Sequence, residues 1–152
     1  MNKKLYGYGA LALSIFIIDR ITKLCALTWL SDATHVINSF LSFELVFNRG
    51  ISWGMFHSSS DIIFTTISVM IVLFTAAFCV YAYQRYTQGY VVTAEVCIII
   101  GSCCNLIDRV MYHGVIDFIV VSYKNVSWPV FNIADTAIVI GIGILIFQSR
   151  SS

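Results

Sequence analysis

From Asp61 to Tyr83 the chain runs on with no internal charge and almost no polar side chain larger than a hydroxyl. About twenty such residues wound at 1.5 Å per residue cross the ~30 Å of a bilayer's hydrocarbon. In lipid the backbone must satisfy its own hydrogen bonds, so such a segment has to be a helix. Three more segments read as spans with interruptions: residues 5–30, 90–107 and 131–148. The composition fits, at 59% hydrophobic and 11% charged, where a soluble domain carries about a quarter charged residues. The expected fold class is all-α membrane: a four-transmembrane-helix bundle with a small β-sheet/loop subdomain outside the lipid. One domain covers residues 1–152, with the sheet and loops at about 31–60 and 108–130.

The apolar run Leu5–Ile18 behind Lys3 and Lys4 could open a signal peptide. Asp19, Arg20 and Lys23 follow it instead of a small-x-small cleavage site, and apolar character resumes at Leu24, so a retained first helix is expected. Asp19 and Lys23 are four apart and share a helix face. They pair either as an interfacial ion pair or as a brace for a site. Between spans one and two, Leu41, Phe43, Leu45 and Phe47 fall on one face and Ser42, Glu44 and Asn48 on the other, the period of a strand. A turn at Asn48-Arg-Gly50 and the run Ile51–Phe56 suggest a hairpin or small sheet on the bilayer surface. Gln84–Gly89 reads as a polar turn, and Gly101-Ser-Cys-Cys104 as a close helix contact. Glu95 faces a polar partner or the near interface. A second strand is expected at Val115–Val121, an interface anchor at Trp128 and a helix start at Pro129. Lys and Arg are divided too evenly between the two sides to fix the orientation, although Lys3 and Lys4 lean toward a cytoplasmic N-terminus.

A net charge of +1 with no basic patch gives no argument for nucleic acid. The five cysteines lack C-x-x-C spacing and sit in apolar runs, so they read as packing residues. His35, His57 and His113 are scattered, and no metal or other cofactor is expected.

Four spans bring Asp19, Lys23, Asn48, Asn105, Asp108, Arg109, Asp117, Asn132 and Asp135 to one side at similar depth. Ionisable groups at the edge of hydrocarbon are candidates for function. Asp108 and Arg109 could simply pair to close a helix end, and the asparagines could satisfy loose carbonyls. Asp117 and Asp135 differ, because neither has a basic residue three or four positions away. Two carboxylates close together where water is scarce cannot both ionise easily, so one keeps its proton and the other acts as base.

These stretches together resemble the lipoprotein signal peptidase (signal peptidase II) family. Asp19-Arg-Ile-Thr-Lys23 looks like its first motif, with Arg20 where glutamine is usual. Asn48-Arg-Gly-Ile-Ser-Trp-Gly54 looks like the second, with Trp53 in place of phenylalanine. Gly101 to Arg109 is similar to the third, with Ile100 and Cys104 replacing glycines, and Gly114 stands one place nearer Asp117 than in the family. Phe131-Asn-Ile-Ala-Asp135, with Ile138, fits the last. The resemblance implies a catalytic pair, Asp117 and Asp135. It implies substrate-binding and supporting roles for Asn48, Gly50, Asn105, Asp108, Arg109, Asn132, Ala134, Asp19 and Lys23. It also implies a monomeric, multi-pass enzyme of the bacterial inner membrane, in contact with membrane lipid, whose site lies near the periplasmic face. The implied partner is a lipid-modified prolipoprotein, cut N-terminal to its diacylglyceryl cysteine. The apolar loop residues Phe47, Trp53 and Phe56 could either clamp over it or anchor the loops in the membrane.

The competing reading is a small proton-coupled transporter or channel subunit using Asp19, Glu95, Asp117 and Asp135 as a relay. An assembly protein would leave the asparagines and aspartates unexplained. A serine or cysteine protease lacks a Ser/His/Asp or Cys/His set at one depth.

Overall fold

The computed structural model describes residues 3–31, 33–50, 60–124 and 126–150. Four helices and four strands follow in the order α1 (Lys3–Trp29), β1 (His35–Val36), β2 (Leu41–Asn48), α2 (Asp61–Thr87), α3 (Thr93–Tyr112), β3 (Val115–Tyr123), β4 (Val126–Ser127) and α4 (Ile133–Ser149). The strands form one antiparallel sheet, ordered β1-β2-β3-β4. Four helices with a small antiparallel sheet beside them are thus present, as expected. Among the described residues one helix, α2, is long and apolar enough to cross a membrane, at a mean hydropathy of 2.4. The apolar helix α4 is 17 residues long. Charged residues sit inside the other two, at Asp19, Arg20 and Lys23 in α1 and at Glu95, Asp108 and Arg109 in α3.

Helix boundaries differ from expectation where a polar residue proves to be inside a helix. Gln84 and Arg85 continue α2, and α3 runs past Ile107 to Tyr112, ending at His113 in the left-handed region (φ 54). Pro129 does not start α4. Asn132 does, as the N-cap, with Ile133 the first helical residue. The run Ile51–Phe56, including Trp53, and His57 lie outside the described residues.

Strand β2 breaks its own alternation. Phe43 pairs with Ile119 and Val46 with Asp117, so β2 holds one residue more than β3 over that interval. Such a bulge re-aims the side chains beyond it. Phe43 and Leu45 pack against Ala26, Ile116 and Phe118 as expected. Phe47 does not share that face and is exposed. Asn48, two residues after the bulge pairing, is turned toward Asp117 instead.

Helices α3 and α4 pack closely because small residues face each other. The buried face of α3 carries Ala94, Cys97, Ile98, Gly101, Cys104 and Asp108, spaced at three and four. A Cβ on Gly101 would stand 2.6 Å from the Ala134 carbonyl oxygen, and one on Gly141 would stand 2.7 Å from that of Ala94. Backbone cannot yield as a side-chain tip does. Gly141→Ala is therefore expected to cost about 1–3 kcal/mol, read as a lower thermal midpoint in detergent. Gly143→Ala, with nothing within 4 Å of its Cβ, is the control and should not lower it.

At the end of the helices away from the sheet, Glu95 is fully buried and ion-paired with Arg85 across α2 and α3, its Oε1 2.8 Å from Arg85 Nε. Arg85 also lies over the Tyr90 ring, 4.8 Å from its centroid. Glu95 thus has the polar partner that the sequence left open.

Candidate active site

Asp117 is the third residue of β3 and Asp135 the third of α4. Two backbone bonds draw these elements together: Ile119 N–H donates to the Phe131 carbonyl at 2.8 Å, and Phe131 N–H to that of Ile119 at 3.0 Å. Asn132 then caps α4 reciprocally. Its Oδ1 accepts from Asp135 N–H at 2.9 Å, and Asp135 Oδ2 accepts from Asn132 N–H at 3.3 Å. The same asparagine donates Nδ2–H to Asp117 Oδ1 at 2.6 Å. One side chain thus holds one aspartate directly and the other through the helix cap.

The remaining carboxylate oxygens are also met by amides. Asn48 Nδ2 donates to Asp117 Oδ2 at 3.0 Å, and Asn105 Nδ2 to Asp135 Oδ1 at 2.8 Å. Among the described residues neither aspartate forms an ion pair. Both open on the same two hollows. One, of about 350 Å³, is walled by Trp128, Phe131, Ile138 and Val139; the other, of about 180 Å³, by Phe74, Ser102, Asn105 and Arg109. Burial, and after it the charge of Asp135, push the Asp117 carboxyl up to about 7, while the bonds from Asn48 and Asn132 pull the other way. A carboxyl in that range can hold or release a proton near neutrality.

Behind the amides lies a group of four charges, three of them fully buried and the fourth, Arg20, partly exposed. Lys23 Nζ meets Asp108 Oδ2 at 2.7 Å and Asp19 Oδ2 at 3.2 Å, and Arg20 meets Asp19 at 2.6 Å and Asp108 at 2.7 Å. The expected Asp19–Lys23 contact is present, and it is buried, with Lys23 1% exposed. Lys23 also donates to Asn105 Oδ1 at 2.9 Å. That bond fixes the amide's orientation, leaving its NH₂ for Asp135.

The Asp108–Arg109 pair does not form. Asp108 turns to Lys23 and Arg20, whereas Arg109 donates to the Gly50 carbonyl and stands over the Phe64 ring, 5.4 Å from its centroid. Gly50 N–H in turn donates to Asn48 Oδ1 at 2.9 Å, and Ala134 N–H to Asp19 Oδ1 at 3.0 Å. All eleven residues singled out from the sequence therefore belong to one connected cluster. Phe47 lines neither hollow, and Trp53 and Phe56 lie outside the described residues. Sequence reasoning missed the part played by Arg20. Its partner Asp108 lies 88 positions away on another helix, so no local spacing signals the contact.

Residues 11–150 match the family described as Signal peptidase (SPase) II. A lipoprotein signal peptidase of Thermodesulfovibrio yellowstonii is 38% identical over 98% of both chains. That of Clostridium novyi is 38% identical over 82% of this chain and 84% of its own. A solved bacterial membrane enzyme superposes with a TM-score of 0.77 at 24% identity, over 95% of this chain and 88% of its own, a likeness of fold.

Proposed function

The chain belongs to the signal peptidase (SPase) II family, and from that premise we propose that it removes signal peptides from diacylglyceryl-modified prolipoproteins by aspartic catalysis, cutting N-terminal to the lipid-bearing cysteine. The observation that carries the catalytic type is the pair itself. Asp117 is buried and Asp135 partly buried; both are held by amides, unpaired by any cation among the described residues, and open to shared hollows.

In the proposed reaction one carboxylate, ionised, takes a proton from a water between the two. The other, protonated, donates to the scissile carbonyl as it becomes tetrahedral, and the proton passes to the leaving amine. The pair titrates as a unit. Asn48, Asn105 and Asn132 hold the carboxylates in place, and Arg109, which donates to the Gly50 carbonyl, lines one wall. The protein works as a monomer that crosses the bacterial inner membrane several times, with the site near the periplasmic face. There the diacylglyceryl chains stay among the lipids while the peptide reaches the aspartates. Outward apolar residues of α2 such as Ile62, Met70 and Leu73 suit a lipid surround. A proton relay across the membrane loses its far member, since Glu95 is ion-paired with Arg85 about 20 Å along α3 from Asp108.

The test is incubation of the purified protein with a diacylglyceryl-modified prolipoprotein. A product shortened by the signal peptide is expected, and none from the unlipidated precursor. Full-length precursor alone would overturn the reading. The pH dependence follows from Asp117. The working pair holds one proton, and with Asp117 at about 7 that proton leaves as pH rises through this value. kcat/KM should therefore fall on the alkaline side with an apparent pKa near 7, and a profile flat from pH 6 to about 9 would contradict the shared proton.

A further inference from the structure

The two buried acids of the charged group each hold the backbone immediately ahead of one catalytic aspartate. Asp19 Oδ1 accepts from the N–H of Ala134, which precedes Asp135, at 3.0 Å. Asp108 Oδ2 accepts from the N–H of Ile116, which precedes Asp117, at 3.3 Å. One guanidinium joins these two anchors. Arg20 Nη2 donates to Asp19 Oδ2 at 2.6 Å and to the Cys104 carbonyl at 3.1 Å, and Nη1 donates to Asp108 Oδ1 at 2.7 Å. It touches the oxygen of each carboxylate that does not hold backbone.

We propose that Arg20 is a positioning residue that sets the relative placement of Asp117 and Asp135 by fixing the planes of Asp19 and Asp108. Lys23 reaches both acids as well, but an ammonium acts as a point charge and is shared with Asn105. A rigid planar guanidinium holds one oxygen of each carboxylate at a fixed separation, which a freely rotating ammonium does not. Released from it, each acid can turn about its Cβ–Cγ bond and let go of its backbone N–H. The dyad's spacing then slackens with no change in any catalytic group. Arg20 lines neither hollow beside the aspartates, so the loss falls on the chemical step and not on substrate binding.

The proposal rests on the aspartic reading above, and its test separates the two. Wild type, Arg20→Gln and Arg20→Lys are compared on a lipidated prolipopeptide, with rates normalised to folded enzyme. Their Ala134 and Ile116 backbone amides are also followed by ¹⁵N–¹H spectroscopy. Arg20→Gln should lose about tenfold or more in kcat at unchanged KM, with both amide resonances displaced. Arg20→Lys, which keeps the charge and loses the fork, should not restore kcat. A full rate in Arg20→Lys, a loss below about threefold in Arg20→Gln, or unmoved amides would each overturn it. If Arg20→Gln does not accumulate, Arg20→Lys decides, at the same threefold limit. A wild type that cleaves nothing would refute the proposed function, while the amide shifts would still decide whether Arg20 holds the anchors.

Discussion

Asp135→Asn is expected to yield a folded, membrane-inserted protein whose processing rate is lower by about 10²–10⁴-fold. The substitution keeps the shape of the side chain and removes its capacity to take or give the proton. Asp135 accepts from Asn132 N–H and from Asn105 Nδ2, and an asparagine has one oxygen for those two donors. One donor is left to face an NH₂, at a cost of about 1–3 kcal/mol. Loss of a partly buried charge offsets part of this. The fold should survive, with a thermal midpoint lowered by a few degrees at most, so the lost rate cannot be ascribed to unfolding. Asp61→Asn provides the contrast, because Asp61 is 90% exposed and pairs with Arg49 at the start of α2. It should process at the wild-type rate. Asp135→Asn enzyme retaining activity within about tenfold of wild type would end the aspartic assignment.

How far the sequence could be read depended on the range of each interaction. Spacing along one helix is local, so the Asp19–Lys23 contact was legible, and so was the isolation of Asp117 and Asp135 from nearby cations. Partners on other elements were not. Asp108 sits beside Arg109 in sequence, yet successive residues of a helix point about 100° apart. The cations Asp108 meets, Arg20 and Lys23, belong to α1. The strand at 41–48 was visible in its alternation, but a bulge is set by the partner strand, so the turning of Asn48 toward Asp117 and of Phe47 outward was not. Charged residues also hid the ends of helices. Arg85 and Asp108 looked like markers of turns because their partners, which let them lie within helices, were far away in sequence.

The most damaging change to stability should be Lys23→Met. Lys23 is 1% exposed, and the two acids it meets are fully buried. Two carboxylates and two cations balance in the intact group. Without Lys23, Arg20 alone faces Asp19 and Asp108, and one negative charge is left in a medium that solvates it poorly. Stranding one partner of a buried ionic group costs about 3–5 kcal/mol. The damage also reaches the site. Asn105 Oδ1 keeps only the 3.2 Å bond from Asn132, so its amide is no longer locked with NH₂ toward Asp135. If charge balance is the cause, removing an acid as well should repair part of the loss, although each change alone is harmful. Lys23→Met/Asp108→Asn leaves Arg20 paired with Asp19, and the new amide oxygen can still accept from Ile116 N–H. The double variant should be about 0.5–3 kcal/mol more stable than the sum of the two single losses, and it should unfold in detergent at a higher temperature than Lys23→Met. Losses that simply add would show that Lys23 stabilises the bundle through packing of its stem, not by neutralising the buried acids.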